Sequence, residues 1–216
     1  MPEFQTQFME SEGRPIQYQG KTLVMCDLFP TEGATRFRLV IETCNGNPVA
    51  EDSASAWSPD RGKDLRTPEG LFRTSVDGLA MWRNLEPPGK WRQGISIRLA
   101  YPVPGGRWKR GAGKGKPGQI VVGGKVADGR QGVAFWQSRD WDTVEFDVSG
   151  DPSVIEVYNL WDGGNGVVES WGNGAAMIVE EFPNGRRYRC NDGEADDDFN
   201  DIVFRLERVN KQIAGK

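Results

Sequence analysis

The sequence contains no histidine in its 216 residues. Histidine is the only side chain whose unperturbed pKa lies near neutral pH, so its absence removes the commonest general base of enzymes. Ser-His-Asp and Cys-His nucleophile pairs are therefore excluded. Zinc sites built on histidine, cupin-type centres and the iron site of two histidines and one carboxylate are excluded as well. Any metal must be held mainly by oxygen, which favours calcium or magnesium.

Cysteine is scarce too, and its occurrences are Cys26, Cys44 and Cys190. Their number is odd and their spacings match no metal or redox motif, so one disulfide with a free thiol and three free thiols both stay open. The first residues have neither the charged nor the apolar region of a secretory signal. No run of about 18 apolar residues is present, so we expect no membrane insertion. The compartment is left open, and a calcium site would favour an extracellular or cell-surface location.

Helical periodicity is nearly absent, whereas 28 glycines and 13 prolines punctuate the chain. The segments between them alternate apolar and polar residues, which is typical of strands joined by turns. Pro183-Asn184-Gly185 is the best hairpin signal, because Asn and Gly suit tight turns. Strands are predicted over residues 4–9, 21–28, 35–43, 94–101, 119–123, 132–137, 141–148, 153–161, 175–182, 186–190 and 201–209.

Two of these strands indicate which side is buried. Each places apolar side chains on one face and mainly polar ones on the other, as antiparallel sheets with a single buried face require. The sequence therefore predicts an all-β fold, an antiparallel β-sandwich or jelly-roll. The predicted inward residues are Val144, Phe146 and Val148 in one strand, and Ile202, Phe204 and Leu206 in the other.

The domain organisation allows two interpretations. The first is a tandem of two small sandwiches, with a β-rich half at residues 1–104, a linker or loop at 105–127 and a second half at 128–210. The second is one large sandwich over residues 1–210. Residues 50–93 are polar and rich in turn residues, and long loops of this kind are often functional.

A basic, glycine-rich segment lies in the middle of the chain. Residues 105–126 hold six basic residues, eight glycines and no acidic residue. A phosphate-binding P-loop is excluded, because Trp108 stands where its first glycine should be and Gly115 follows Lys114 in place of Ser or Thr. A solvated loop or linker is the simplest interpretation, with contact to an anion or an acidic glycan as the alternative. The overall net charge of −4 gives no indication of a nucleic-acid partner.

The strongest functional signal is an acidic segment near the carboxyl end. It lies between two predicted strands, so its carboxylates are held close together and must repel unless protons or a cation neutralise them. Calcium binds six to eight oxygen ligands in loose geometry. A solvated acidic turn and a catalytic magnesium site are the alternatives. The predicted calcium ligands are Asp192, Glu194, Asp196, Asp198, Asn200 and Asp201.

Residues 196–204, Asp-Asp-Asp-Phe-Asn-Asp-Ile-Val-Phe, carry a family resemblance. They resemble the D-x-D-[FY]-N-D-x-V-[FV] motif near the end of a group of bacterial extracellular β-sandwich domains, the DUF4114-like domains. The resemblance implies a calcium-supported β domain of the kind found in adhesins and surface proteins. Those domains usually place an aromatic-Glu-Asp sequence upstream of the motif, where this chain has Asn191-Asp192-Gly193-Glu194. Residues 1–130 resemble no family.

A second group of residues has the composition of a sugar-binding loop. Exposed tryptophan rings can stack on the apolar faces of sugars, while Asp and Asn side chains bind the hydroxyls. The alternative is that the tryptophans pack in the core and the Asn and Gly residues form turns. The predicted ligand-binding residues are Trp161, Asp162, Asn165, Trp171 and Asn173.

These features together predict a calcium-supported, non-enzymatic binding module, with carbohydrate or cell-surface recognition as the leading function. A self-assembling matrix, coat or inclusion protein is the alternative. A glycosidase that uses carboxylates alone, such as Glu145 with Asp147 or Glu180 with Glu181, ranks third. The pattern does not determine the oligomeric state.

Overall fold

The computed structural model describes residues 3–44, 47–48, 71–74, 78–81, 92–103, 107–110, 118–127, 132–136, 143–150, 152–162, 168–170, 174–193 and 196–209. One helix and eighteen strands lie in these ranges. Helix α1 spans Glu3–Glu10, and the strands are β1 Ile16–Tyr18, β2 Lys21–Val24, β3 Asp27–Pro30, β4 Arg36–Cys44, β5 Asn47–Pro48, β6 Leu71–Thr74, β7 Gly78–Met81, β8 Arg92–Val103, β9 Arg107–Arg110, β10 Gln119–Val122, β11 Lys125–Val126, β12 Gly132–Trp136, β13 Thr143–Ser149, β14 Val154–Asp162, β15 Val168–Glu169, β16 Ala176–Phe182, β17 Gly185–Asn191 and β18 Ile202–Arg208.

The strands form two sheets that pack together, which confirms the predicted all-β sandwich. In the described residues, sheet A has the strand order β1-β2-β16-β17-β18-β4-β13-β10-β11, with β5 paired to β4. Sheet B has the order β15-β14-β8-β12-β7-β6, with β3 paired to β14 and β9 to β8. The pairings are antiparallel except for that of β12 with β7. Each sheet takes strands from both sides of residues 105–127, so the predicted division at that segment does not separate the sheets.

The main core lies between the sheets and contains the predicted inward residues of β13 and β18. Phe37 and Phe146 stack with their ring centroids 5.6 Å apart, and Tyr188 stacks on Phe204 at 4.7 Å. The outward residues of the same strands are largely charged, and they form cross-strand ion pairs such as Arg38–Glu145. In β13 the alternation in the sequence is therefore the alternation between core and surface, whereas in β18 the outward Val203 is also buried.

The amino-terminal segment departs from the prediction. Residues 4–9 were expected to form a strand, but they belong to helix α1, in which Phe4 and Phe8 are both buried. Two apolar residues four positions apart lie on the same face of a helix and also on the same face of a strand. So short a segment therefore fits the helical period and the strand period equally well. The predicted strand at 21–28 is two strands, because the chain leaves sheet A after β2 and enters sheet B with β3.

The basic segment also differs from the prediction of a solvated linker. Strand β9 pairs with β8 in sheet B, and β10 pairs with β13 in sheet A. Residues 107–110, 119–122 and 125–126 therefore belong to the sheets, whereas residues 111–117 lie outside the described part of the chain. The predicted loop at 50–93 also falls largely outside it, with β6, β7 and the first residues of β8 as the described parts.

Among the described residues, none of the helical segments is long and apolar enough to cross a membrane. The three cysteines are free thiols. Burial, together with the negative charge of Asp201, raises the pKa of the Cys190 thiol well above its ordinary value. A buried thiol of this kind is a small packing residue rather than a nucleophile.

The predicted hairpin at Pro183-Asn184-Gly185 is confirmed, with Phe182 paired to Gly185 across the turn between β16 and β17. Gly185 also meets the next strand closely. A Cβ atom at this position would overlap the carbonyl oxygen of Leu206 and lie 3.0 Å from the Cα atom of Glu207. Glycine is therefore required here by the close approach of β18, in addition to any requirement of the turn.

We expect Gly185→Ala to destabilise the protein by about 1–3 kcal/mol, because the neighbouring backbone must move to make room for the methyl group. Asn184→Ala is the matched control, because Asn184 is exposed in the same turn and should change stability by less than about 0.5 kcal/mol. Urea unfolding of both variants measures the difference. Equal midpoints would contradict this account of the packing.

Candidate metal site in the acidic turn

The acidic segment connects two neighbouring strands of sheet A. Strand β17 ends at Asn191 and β18 begins at Ile202, and the last pair of the ladder joins Cys190 to Ile202. The connection, which we call the acidic turn (residues 192–201), therefore starts and ends at adjacent points of the sheet. The pairing therefore limits how far apart the carboxylates of this short segment can move.

Three carboxylates converge in the acidic turn. One oxygen from each of Asp196, Asp198 and Asp201 lies within 4.8 Å of the others. Asp196 and Asp198 are exposed, whereas Asp201 is 8% exposed at the base of the turn. Three of the six predicted metal ligands are thus brought together, with one side of the group open to solvent.

The other predicted ligands are placed differently. Asp192 is 1% exposed, and its carboxylate accepts a hydrogen bond from Gln93 Nε2 at 2.6 Å. Its backbone N–H donates to Asp201 Oδ2 at 2.8 Å, so it positions a carboxylate of the triad. Asn200 donates to Asp198 from its backbone N–H, at 2.9 Å, and from its side-chain amide. Glu194 lies outside the described residues.

The backbone of the turn explains how the carboxylates come to face one another. Asp197 and Phe199 have left-handed φ angles of 56° and 55°, which are uncommon for residues other than glycine. Phe199 is 2% exposed and packs into a small apolar cluster, so its ring is directed away from the carboxylates on either side of it. Such conformations cost about 1–3 kcal/mol each and persist where the surroundings determine them. Burial of the Phe199 ring is the compensating interaction here.

Asparagine side chains hold the turn to the rest of the sandwich. The Asn191 Oδ1 atom accepts a hydrogen bond from the Phe199 N–H at 3.4 Å, and its Nδ2 atom donates to the Gly174 carbonyl at 3.2 Å. Asn159 of sheet B donates from Nδ2 to the carbonyl of Asn191 at 2.9 Å. Gln93 and Asn159 were not predicted as part of the site. They lie far from it in the sequence, and the packing of sheet B against sheet A brings them to it.

The electrostatics of the turn favour neutralisation. Burial, together with the negative charges of Asp192, Asp196 and Asp198, raises the pKa of Asp201 to about 7. The hydrogen bond from the Asp192 N–H opposes this rise. A carboxyl group with so high a pKa holds a proton through much of the acidic range, and a cation would serve the same purpose at neutral pH. The donor set, made of carboxylate oxygens with a side open to water, fits calcium chemistry.

The predicted sugar-binding residues are only partly described. Trp161 is 1% exposed and Asp162 is also buried, which does not fit the exposed ring needed to stack on a sugar. The Trp161 indole instead packs beside the acidic turn, where a Cβ atom on Gly193 would lie 3.1 Å from its Nε1 atom. Asn165, Trp171 and Asn173 lie outside the described residues, so their binding role stays a prediction.

The carboxylate pairs considered for glycoside hydrolysis are held by arginines. Glu145 accepts hydrogen bonds from Arg36 and Arg38, and these keep its pKa below the ordinary value. A general acid of a glycosidase needs the opposite shift. Glu180 and Glu181 likewise pair with Arg187 and Arg186, at 2.9 and 2.7 Å.

Comparisons with protein-family models, with curated proteins and with solved structures gave no match.

The raised pKa of Asp201 predicts a pH dependence of the metal-free protein. Between about pH 4 and pH 7 the folded state keeps a proton that the unfolded state releases, so stability falls as the pH rises through this window. At about 1.4 kcal/mol per pKa unit, the loss approaches about 4 kcal/mol. Thermal unfolding in EDTA should therefore show a falling melting temperature from pH 5 to pH 7.5.

Asp201→Asn is the control for this measurement. The amide can still accept the hydrogen bond from the Asp192 N–H but cannot titrate. We expect the variant to lose most of the fall in melting temperature. The same pH dependence in both proteins would contradict the assignment of the shift to Asp201.

Proposed function

We propose that this chain is a calcium-supported, non-enzymatic binding module in which the acidic turn holds one calcium ion. The observation that carries the proposal is the convergence of the Asp196, Asp198 and Asp201 oxygens within 4.8 Å. Carboxylates this close repel one another, and this repulsion adds to the effect of burial in raising the pKa of Asp201. Binding a divalent cation converts the repulsion into attraction.

Calcium suits this group of ligands better than other common metals. The chain has no histidine, and its buried cysteine thiol has a raised pKa, so zinc would find only oxygen ligands here. Magnesium demands strict octahedral geometry and usually completes its shell with substrate phosphates. Calcium accepts loose geometry, and water can fill its remaining positions on the exposed side of Asp196 and Asp198.

The cation would act mainly as a structural staple. Asp201 directly precedes β18, whose Ile202, Phe204 and Leu206 are buried in the main core. A shift of β18 by one residue would turn these side chains outward. A cation bound to Asp201 and to the outer part of the turn therefore stabilises the register of the strand.

Recognition of a carbohydrate or a cell-surface ligand is the specific function we propose for the module. Its support is the resemblance of residues 196–204 to the calcium motif of the DUF4114-like domains, which implies adhesins and surface proteins. In this proposal Asn165, Trp171 and Asn173 contact the ligand, whereas Trp161 packs against the acidic turn at Gly193. A matrix or coat protein could be stabilised by the same cation. Self-association of the chain without glycan binding would identify this alternative function.

We expect calcium to raise the melting temperature of the protein in a saturable way. A ligand at a hundred times its dissociation constant stabilises the folded state by about 2.7 kcal/mol. Zinc should give little of this effect, because the site offers only oxygen ligands. Thermal unfolding in EDTA and in a calcium series provides the measurement.

Asp196→Asn should abolish most of this calcium response, because it removes a ligand charge while keeping the size of the side chain. Asp147→Asn removes an exposed carboxylate from β13, on the same sheet but away from the turn, and should leave the response intact. A melting temperature that does not respond to calcium in the unmodified chain would refute the calcium site. A response that survives in Asp196→Asn would place the ion elsewhere.

The glycan proposal predicts different results for the two tryptophans. Trp171→Ala should abolish binding on a glycan array with little change in melting temperature. Trp161→Ala should lower stability by about 3–5 kcal/mol, because it removes a large buried side chain. Normal glycan binding by Trp171→Ala, or no binding by the unmodified chain, would remove this role from the loop.

A further inference from the structure

The first described residues form a unit at one end of sheet A, which we call the N-terminal strap (residues 3–24). It consists of α1 followed by the hairpin of β1 and β2. Strand β1 pairs with β2, and β2 pairs with β16 through two residue pairs, Leu23 with Ile178 and Val24 with Met177. The strap is therefore joined to the sandwich by a short ladder and by its side chains.

The side chains of the strap enclose Phe199 of the acidic turn. The ring centroids of Phe4 and Phe199 lie 6.0 Å apart, and Phe4 also packs against Phe8 and Tyr18. The small cluster is separate from the main core between the sheets. It contains Phe4, Phe8, Ile16, Leu23, Ala176, Ile178 and Phe199. Four of these seven residues belong to the strap, two to β16 and one to the turn.

Polar contacts join the same two parts. The Tyr18 hydroxyl donates to Asp197 Oδ2 at 3.4 Å, and Lys21 Nζ lies 5.8 Å from the centre of the Phe199 ring. Gln5 Oε1 accepts the Gly174 N–H at 3.1 Å, and the carbonyl of Gly174 accepts a bond from Asn191. The strap thus contacts the turn at Asp197 and Phe199, and contacts Asn191 through Gly174.

The direct contacts between the strap and the turn fall on Asp197 and Phe199, the two residues of the described part of the turn that have left-handed backbones. Asp197 lies between Asp196 and Asp198, and Phe199 lies between Asp198 and Asp201, so a residue with a left-handed backbone separates each pair of successive ligands. Without the apolar pocket, only the hydrogen bond from the Phe199 N–H to Asn191 would offset the cost of the left-handed conformation at Phe199, and the turn would relax to other conformations. In those conformations the carboxylates would be free to move apart and reduce their repulsion.

We propose that docking of the N-terminal strap on Phe199 sets the convergence of Asp196, Asp198 and Asp201, so that strap docking and cation binding favour each other. The second half of this statement rests on the proposed calcium site, whereas the first half concerns the protein alone. Coupling of this kind is reciprocal: if the docked strap increases the affinity for calcium, calcium must stabilise the docked strap by the same factor. Typical couplings change affinity by about 5- to 150-fold.

The test compares hydrogen exchange and calcium affinity in matched variants of the full chain. Phe4→Ala removes the ring that packs on Phe199, and Tyr18→Phe removes only the hydroxyl that bonds to Asp197. Met9→Ala is the control, because Met9 lies on the same helix and is 69% exposed. In EDTA, Phe4→Ala should speed exchange of the Phe199 and Asn200 amides by about tenfold or more, and Tyr18→Phe by a smaller factor. Met9→Ala should leave their exchange unchanged.

Calcium titration of the same variants tests the coupling. We expect Phe4→Ala to weaken calcium binding by about tenfold or more, with Met9→Ala unchanged. In the unmodified chain, calcium should slow exchange of the Ser11 and Gly13 amides, which donate to carbonyls of α1. Slower exchange there supports the coupling, because neither amide lies in the turn.

The outcomes separate this inference from the calcium proposal. If the unmodified chain binds no calcium but Phe4→Ala still speeds amide exchange in the turn in EDTA, the calcium site is refuted. The effect of the strap on the conformation of the turn is then supported, without its coupling to a cation. If exchange in the turn and calcium affinity are both unchanged in Phe4→Ala, the strap inference is overturned. If the amides throughout β18 of Phe4→Ala lose their protection from exchange, this variant has unfolded. In that case amide exchange in the turn and calcium affinity of Tyr18→Phe decide whether the strap acts on the turn.

Discussion

Mutual repulsion among carboxylates that two paired strands hold together is the constraint on which this end of the molecule depends. The ladder of β17 and β18 closes at Cys190 and Ile202, and the chain between them carries Asp192, Asp196, Asp198 and Asp201. Relaxing the turn would relieve the repulsion but would remove Phe199 from its apolar pocket. The molecule instead surrounds the turn with compensating contacts: Gln93 from sheet B and the apolar pocket around Phe199.

This arrangement explains why so many polar groups are buried at one end of a hydrophobic core. Asn159, Asn191 and Gln93 are buried, and each takes part in a hydrogen bond that ends on the acidic turn or on its flank. Buried polar groups of this kind are costly unless they are satisfied, and a satisfied network rigidifies the structure around it. The network joins the turn to sheet B, while the Phe199 pocket joins it to the N-terminal strap. The acidic turn is thus held from both faces of sheet A.

Much of the fold could be predicted from the local sequence pattern. The predictions that failed depend on contacts between residues that are far apart in the sequence. In β13 and β18 the alternation of apolar and charged residues follows the two faces of sheet A, so period alone identified the inward side chains. The converging aspartates could be predicted because they lie within a few residues of one another. The contact of Gln93 could not be predicted, because it follows from the packing of sheet B against sheet A. The spacing of Phe4 and Phe8 fits both a helix and a strand. Their burial in the cluster around Phe199 favours the helix. Trp161 shows why local composition misleads. The Asp, Asn and Gly residues near it suggest an exposed ring, but it belongs to a strand that is buried on both faces.

The central claim is that the acidic turn binds one cation through Asp196, Asp198 and Asp201. A crystal structure of the full chain grown with millimolar calcium tests it most directly. The account predicts one ion in the turn, with oxygen atoms of all three side chains at about 2.3–2.6 Å and water on the exposed side. Diffraction that resolves the turn clearly, with the three carboxylates in place and no ion among them, would contradict the account.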